Sequence, residues 1–179
     1  MSQAPFTVRR WKRMEYERLI EYGVFDGEPL ELIGGQLIVA EPKGPYHSTG
    51  VGKVGDVIRA SLPPEWIIRV QDAIALDDES EPEPDIAVVA GAHEDYLHGH
   101  PERPVLVIEV ADSSLLFDRS QKGSAYARAG LGDYWIVNLV DRVVEVYREP
   151  MPDASARYEW RYASVQTFTT SETIVPLAL

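Results

Sequence analysis

The chain has 179 residues, which is the length of one domain, and its 45% hydrophobic and 26% charged residues are typical of a globular protein. It contains no cysteine, which excludes disulfides, thiolate metal sites and cysteine nucleophiles. The net charge of −12 is unfavourable for nucleic-acid binding by the chain as a whole, but it does not exclude a local basic stripe.

No apolar run in the sequence approaches the roughly 20 residues that a membrane-spanning helix needs. The segment Met1–Pro5 lacks the apolar stretch of a signal peptide. No repeat or low-complexity segment divides the chain. We therefore expect a cytoplasmic protein without a membrane partner, in which residues 1–179 form a single domain.

The N-terminal part predicts a helix followed by a β-hairpin. The helix covers Arg10–Tyr22 and ends at Gly23. The hairpin covers Leu30–Ala40, where two apolar runs meet at Gly34-Gly35, a pair suited to a tight turn. The apolar stripe of the helix consists of Trp11, Met14, Leu19 and Tyr22.

A second helix and two strand segments follow. The helix is predicted over His47–Leu62, although three glycines weaken the pattern. Trp66–Leu76 alternates loosely and predicts either one bent strand or two. Asp85–Val89 predicts a strand after the acidic, proline-broken loop Asp77–Pro84.

The next strand, Val105–Val110, is almost entirely β-branched or leucine, so we expect both of its faces to be buried and the strand to be central. Asp118–Ala129 predicts a helix, with Asp118 as its N-cap and Gln121 at the capping-box position. Gly130 ends this helix.

The C-terminal part predicts strands only. Tyr134–Val137 and Val143–Tyr147 are joined by a turn around Asp141-Arg142, and short strands follow from Tyr158 onward. The complete order is a helix and a hairpin, then helix, three strands, helix and strand. This order fits an α/β protein with a mixed sheet that carries helices on its faces.

Two acids interrupt the apolar strands. Glu109 lies inside Val105–Val110, where an ionised carboxylate costs several kcal/mol unless it is paired or ligated. Asp85 opens another core-like strand, and the separation of the two acids suits neighbouring strands joined by a surface loop. Two carboxylates with open water positions suit Mg²⁺, so Asp85 and Glu109 are the candidate metal ligands.

Lys122 lies near the start of the helix that follows the Glu109 strand. A helix returning over the sheet can aim its ammonium at the acids, where it would orient a water or stabilise charge on a phosphate. The residues alone leave simpler explanations open. Asp85 can merely start a strand, Glu109 can pair with Arg128 or Arg69, and Lys122 can be a solvated helix residue.

At these residues the chain resembles the PD-(D/E)XK nuclease superfamily, and within it the bacterial Uma-type family of predicted restriction endonucleases. The resemblance runs from about Phe6 to the C-terminus, with several motifs in the expected order. The matching segments are Leu30–Leu37, Gly44–His47, Val70–Ile74, Glu83–Ile86, Val107–Ser114, Asp118–Lys122, Tyr126–Gly130 and Tyr134–Val137.

The resemblance implies a restriction-endonuclease-like αβββαβ core and makes Asp85 and Glu109 the first and second acids of the motif. The usual lysine two residues after the second acid is replaced by Ala111, and Lys122 matches the family's lysine on the following helix. Gly34 departs from the family, which usually has aspartate in this turn. The resemblance also makes Glu31, His47 and, more weakly, Gln71 neighbours of the site.

Several other signals are discounted. Gly50–Gly55 matches G-x-G-x-x-G, but no strand leads into it, so close helix packing explains the glycines better than nucleotide binding. Ser113-Ser114 lacks a nucleophile-elbow sequence and suits turn hydrogen bonds. The histidines that we expect on a surface loop are His93, His98 and His100.

One dense basic cluster is visible, formed by Arg9, Arg10, Lys12, Arg13 and Arg18. It is either a solvated helix face or a DNA-facing patch, and the sequence leaves both open. The first hypothesis for function is a Mg²⁺- or Mn²⁺-dependent endonuclease that acts on DNA, as a homodimer by resemblance. The alternatives are a binding or regulatory module with little turnover, and a hydrolase of another phosphate ester.

Overall fold

A computed structural model describes residues 7–40 and 42–178, whose strands form a two-stranded sheet and a six-stranded sheet. The N-terminal elements are α1 (Arg13–Glu21), β1 (Leu30–Ile33), β2 (Gln36–Val39), α2 (Pro45–Ser61), β3 (Trp66–Val70) and β4 (Ile86–Ala90). The later elements are a 3₁₀ turn (His93–Tyr96), β5 (Leu106–Ala111), α3 (Leu115–Phe117), a π-helical turn (Asp118–Lys122), α4 (Gly123–Arg128), β6 (Asp133–Asn138), β7 (Val143–Pro152) and β8 (Trp160–Phe168).

The six-stranded sheet is mixed, and its strands follow the order β3-β4-β5-β6-β7-β8. Only β5 and β6 run parallel, because the helical segment α3–α4 crosses over between them; the other neighbours are antiparallel. The elements from α2 to β6 therefore have the αβββαβ order. The predicted α/β fold with a mixed sheet is confirmed.

Helices cover both faces of the central strands. Alternate residues of β4 and β5, such as Val88 and Ile108, point toward α2 and pack with Val51 and Ile58. The intervening residues, such as Val107, point toward α4 and form the second core cluster. Every residue of β5 is buried, as expected for the continuous apolar run of a central strand.

The hairpin β1–β2 forms as predicted. Gly34 and Gly35 both have positive φ, +57° and +75°, which is the conformation of a type I′ turn. A side chain at position 34 would also collide with Tyr158, since a Cβ there would lie 2.1 Å from the ring. This packing gives a physical reason for glycine where relatives in the resemblance have aspartate.

The first helix is shorter than predicted, and its buried face is different. It begins at Arg13, because Trp11 donates its backbone N–H to Gly35 before the helix starts. Its buried residue is Tyr16, whereas Met14 and Tyr22 of the predicted stripe are exposed. The predicted stripe was therefore wrong at Met14 and Tyr22. The helix instead turns Tyr16 toward the hairpin, where its hydroxyl donates to the backbone carbonyl of Leu30 at 2.8 Å.

The second helix begins at Pro45, two residues before the prediction, with the proline in the first turn. Its glycines support the packing explanation at one position: a Cβ at Gly50 would lie 2.9 Å from Val110 of β5. The loosely alternating segment after α2 forms one short strand, β3. The strand ends at Val70, and the next residue, Gln71, has a φ of +56°. Ile74, further along the predicted segment, is buried in the core but belongs to no strand.

The predicted helix over Asp118–Ala129 was wrong at its start. The helical segment begins at Leu115 with Ser114 as N-cap, and Asp118 lies inside it as a buried residue. The strands after it are longer than predicted. Both β7 and β8 extend over nine or more residues because Pro150 and Pro152 are accommodated near the end of the hairpin.

The expected exposure of His93, His98 and His100 is confirmed. In the part of the chain that the structure describes, no helix is both long and apolar enough to cross a bilayer.

Candidate active site

Asp85 and Glu109 meet where β4 begins beside β5. Ile86 pairs with Ile108 in the antiparallel ladder, so the next position on each strand brings the two acids side by side. The Asp85 backbone N–H donates to Glu109 Oε2 at 3.3 Å, and the Val110 N–H donates to Asp85 Oδ2 at 2.8 Å. The separation of the two carboxylates is therefore fixed by the sheet.

Asp85 is 3% exposed and has four hydrogen-bond donors. Oδ2 faces the buried side, where His47 Nε2 lies at 3.0 Å beside the Val110 amide. Oδ1 has part-buried contacts and accepts from Lys43 Nζ at 2.9 Å and from Gln71 Nε2 at 3.3 Å. The Asp85 carboxylate is thus held by Lys43 before α2, by His47 on α2 and by Gln71 after β3, in addition to the backbone of β5.

Glu109 is also 3% exposed, and its two oxygens have different surroundings. Oε1 accepts from Lys122 Nζ at 3.0 Å and from the Tyr126 hydroxyl at 2.7 Å. Oε2 is turned toward Asp85. The partners that sequence alone left open, Arg128 and Arg69, are wrong, since they pair with Asp77 and Asp72 instead.

Lys122 lies between two acids. Its Nζ is 3.0 Å from Glu109 Oε1 and 3.4 Å from Glu31 Oε2, and its side chain is 8% exposed. Glu31 comes from β1, and it is held in turn by the backbone N–H of Glu83 at 3.1 Å. The hairpin therefore supplies the outer wall of the site, which explains why a residue so far from the acids in sequence belongs to it.

The π-helical turn brings two charged side chains to the pocket. Asp118 opens this turn and Lys122 closes it, and both are buried. Asp118 Oδ2 accepts from the Ser114 hydroxyl at 2.6 Å, while its backbone carbonyl accepts from Tyr134 at 3.1 Å. Such turns occur often at functional sites, because they redirect side chains within a helix.

The electrostatics reflect an excess of acid. Burial raises the pKa of Glu109 to about 8; Lys122 opposes the rise, and Asp118 and Asp85 add to it. Burial likewise raises the pKa of Asp118. Burial also works against the charge of Asp85, but hydrogen bonds from Lys43 and from the Val110 amide hold its pKa below the usual value.

Lys122 stays an ammonium. Burial opposes its charge, but the neighbouring Glu109, Glu31 and Asp118 outweigh that cost and raise its pKa. A fixed positive charge therefore faces the carboxylates from the helical side.

Five of the six residues predicted for the site line one open pocket of about 370 Å³, and Gln71 contacts Asp85 from outside this lining. Its floor is formed by the two acids and Lys122, and its mouth by β2, the loop before α2 and the segment before α3. The lining residues are Glu31, Ile38, Val39, Ala40, Pro42, Lys43, Gly44, His47, Asp85, Glu109, Asp112, Ser113, Ser114, Phe117, Asp118 and Lys122.

The donor set fits a hard divalent cation that keeps most of its water. Within residues 7–40 and 42–178, no three side chains of His, Asp or Glu converge on one point in ligating geometry. Mg²⁺ does not require such a cage, since one or two carboxylates with several waters are its usual protein ligands. Asp85 and Glu109 supply those two carboxylates, and the unrelieved acid excess around them favours an added cation.

The structure thus brings together all six residues singled out from sequence: Asp85, Glu109, Lys122, Glu31, His47 and Gln71. Sequence reasoning missed three polar neighbours, Lys43, Asp118 and Tyr126. Tyr126 could have been found from its helical spacing, since it follows Lys122 by one turn. A lone lysine in a loop gives no such signal.

The basic cluster near the N-terminus is largely neutralised by acids. Its ion pairs are Arg9–Glu15, Arg10–Glu79, Lys12–Glu79 and Arg13–Glu17. Arg18 is exposed. These pairs support the solvated helix face over the DNA-facing patch.

The mixed sheet and the αβββαβ order define an α/β protein with a restriction-endonuclease-like fold. The chain belongs to the Uma2 family, described as "Putative restriction endonuclease", whose model matches residues 13–179. A search of curated proteins finds no match.

Among solved structures, the chain is similar to a protein from Anabaena variabilis described as "a putative nuclease belonging to DUF820". The TM-score is 0.58 at 16% identity, and the alignment covers 83% of this chain and 80% of that one. At this identity the likeness shows a shared fold.

Proposed function

We propose that this chain is an endonuclease that uses Mg²⁺ or Mn²⁺ to hydrolyse phosphodiester bonds, with DNA as its substrate. One observation carries the proposal. Two buried carboxylates from adjacent strands, Asp85 and Glu109, lie cross-bonded at the floor of an open pocket, with the buried ammonium of Lys122 against them. Membership of the Uma2 family supports the nuclease class.

Asp85 and Glu109 would hold the cation. When bound, a divalent cation supplies Lewis-acid stabilisation of a phosphoryl oxygen and lowers the pKa of a bound water. Lys122 is held by Glu109 and Glu31 at a fixed place, so its ammonium can orient the attacking water or stabilise charge that develops on the phosphate.

The other three residues act on the two acids or on the lysine. His47 and Gln71 fix the orientation of the Asp85 carboxylate through its two oxygens. Glu31 holds Lys122 from the hairpin side. We assign them as positioning residues, because each one touches an acid or the amine at the pocket floor.

The deciding experiment is nicking of supercoiled plasmid with Mg²⁺, with Mn²⁺ and with EDTA. The wild-type protein should cut with either cation and not with EDTA. Asp85→Asn should abolish cutting, because it removes a ligand charge while keeping the shape of the side chain. Asp56→Asn is the matched control, since Asp56 is an exposed acid on α2 whose side chain is 83% exposed.

Cutting that survives Asp85→Asn, or that proceeds in EDTA, would contradict the assignment. RNA and small phosphodiesters in the same assay separate DNA cleavage from hydrolysis of another phosphate ester. Two sites are needed to cut both strands, so the proposal includes a homodimer, which size-exclusion chromatography with light scattering would detect.

A binding or regulatory module is the second candidate, and two observations favour it. The net charge is −12, and each Asp85 oxygen already has two donors within the protein. This candidate predicts partner binding that Asp85→Asn leaves unchanged and no metal-dependent cutting at any protein concentration. The same plasmid assay therefore decides between the two.

A further inference from the structure

The two oxygens of Asp85 differ in how firmly their donors are held. Oδ2 accepts from the backbone of Val110 and lies against His47, which is 8% exposed, so neither partner can leave without a change in the core. Oδ1 accepts from Lys43 and Gln71, which are both exposed residues, and Lys43 also lines the pocket. A cation that enters from solvent would therefore meet Asp85 at Oδ1.

Lys43 is the charged group that such a cation would encounter. It lies in the loop between β2 and α2 and lines the pocket mouth. Its side chain is 37% exposed, whereas that of Lys122 is 8% exposed. Among residues 7–40 and 42–178, Asp85 is the acid at ion-pair distance from Lys43.

We propose that Lys43 is a displaceable counterion: it neutralises Asp85 while no divalent cation is bound, and it contacts the substrate phosphate once a cation has taken Oδ1. The second half of this inference rests on the proposed nuclease function. The first half concerns only the protein and the metal.

The physical basis is the repulsion between cations. An ammonium at 2.9 Å from Oδ1 and a divalent cation on the same oxygen would lie within a few ångströms of each other, beside a buried carboxylate where charges are screened less than in bulk water. Lys122 cannot yield, because Glu109 and Glu31 hold it on the buried side. Lysine carries its charge on a flexible four-carbon chain, so Lys43 can swing toward the mouth, where an anionic substrate would enter.

The first test measures Mn²⁺ binding by calorimetry, without nucleic acid. Lys43→Gln removes the competing charge, and we expect Mn²⁺ to bind roughly tenfold more tightly than to the wild type. Lys53→Gln is the matched control: it removes the same charge from an exposed position on α2 outside the pocket, and it should leave Mn²⁺ affinity unchanged.

The second test measures binding of a short duplex with phosphorothioate linkages in Ca²⁺. Lys43→Gln should weaken duplex binding and reduce the slope of affinity against salt by about one, the effect of one lost phosphate contact. Lys43→Arg should restore the slope. Opposite changes in the two affinities distinguish this role from a structural one, because a variant that merely loosens the site would bind both ligands less well.

Mn²⁺ affinity that is unchanged or weaker in Lys43→Gln would overturn the counterion half, and duplex affinity that is unchanged would overturn the phosphate half. Failure of the nuclease proposal would give a different result. The wild-type protein would then leave plasmid intact, while the Mn²⁺ affinities of the wild type and Lys43→Gln would still test the counterion role.

Discussion

The chain contains two groups of buried acids, and their charges are balanced in opposite ways. The pocket acids are Glu31, Asp85, Glu109 and Asp118. The arginine-bound acids are Asp133 of β6 and Glu145 of β7. All of them are less than 10% exposed, so burial alone does not tell the groups apart.

Each arginine-bound acid is fully matched. Glu145 receives two hydrogen bonds from Arg119, at 3.0 and 2.5 Å, and further ones from Asn138 and Tyr147. Burial works against its charge, but these donors hold its pKa below the usual value. Asp133 is matched in the same way by Arg148, by the indole of Trp135 and by a backbone amide near the C-terminus.

The pocket acids are not matched by charge. Two lysines serve four carboxylates, and the pKa of Glu109 is raised to about 8 by burial, with neighbouring acids adding to the rise. A carboxylate closed off by arginine adds to stability, whereas carboxylates in excess beside an open pocket are arranged for something that arrives from outside. Mutations that affect stability and activity separately would test this distinction.

The largest expected effect is on activity. Under the proposed function, Glu109→Gln should lower plasmid cleavage by on the order of 10³-fold, because it would remove a charge that holds the cation beside the reacting phosphate. Circular dichroism should confirm a folded protein. Glu145→Gln makes the same exchange in the arginine-bound group, and its folded fraction should cleave within a few-fold of wild type. Equal losses for both variants would remove the distinction.

The second effect is on stability. Asp133→Ala leaves the guanidinium of Arg148 and the indole of Trp135 without their acceptor, and it should lower the free energy of unfolding by about 3 kcal/mol. Urea denaturation measures this loss. Asp56→Ala, at an exposed ion pair with Arg59, should change the value by less than about 0.5 kcal/mol.

The third effect depends on pH and concerns Glu81, a buried acid that belongs to neither the pocket acids nor the arginine-bound acids. Burial, with the carboxyl of Glu17 beside it and Glu83 nearby, raises its pKa to about 8, while Arg13 opposes the rise. The folded pKa lies above the ordinary 4.5, so the protonated carboxyl stabilises the fold below pH 4.5, and that contribution is lost as the pH rises through 8.

Unfolding free energies of the wild type should therefore fall as the pH rises from 5 to 9. Glu81→Gln, which cannot ionise, should flatten this part of the profile. An unchanged profile in the variant would assign the pH dependence to other groups.

The smallest effect separates two glycines of α2. Gly52 has open space around a Cβ, so Gly52→Ala should stabilise the protein by about 0.5–1 kcal/mol through helix propensity. Gly50→Ala should destabilise it, because the new methyl would lie 2.9 Å from Val110, next to Glu109. Thermal melts of both variants, with plasmid cleavage as a second measurement, test whether the close approach of α2 supports the pocket.

The sequence predicts the strands that carry the site better than it predicts the helix ends. β5 could be predicted because a continuous run of β-branched and leucine residues is typical of a buried strand. An unpaired glutamate in such a strand is energetically unfavourable, so its presence indicates a functional role or a buried partner. The start of the helical segment was misplaced, because Asp118 is an equally good N-cap by residue type. Only tertiary packing, against Tyr134 and Lys122, decides that it is buried.

Residues of the site were missed by the sequence analysis for the same reason. Lys43 reaches Asp85 only because the loop between β2 and α2 folds over the pocket, and no periodicity records the path of a loop. The arginine partners of Asp133 and Glu145 also need the structure: Arg148 faces Asp133 only in the register of the β6–β7 hairpin, and Arg119 reaches Glu145 from the helical segment before β6. Local patterns find the elements, and long-range charge matching needs the fold.

The reciprocal hydrogen bonds between Asp85 and the strand of Glu109 have a practical consequence. Because the sheet holds the two acids in place, the connection from Gly91 to His100 does not set their spacing, and its residues are largely exposed. The tip near Leu97, which is 72% exposed, is therefore a suitable point for inserting an affinity tag or a fluorescent reporter without touching the pocket floor.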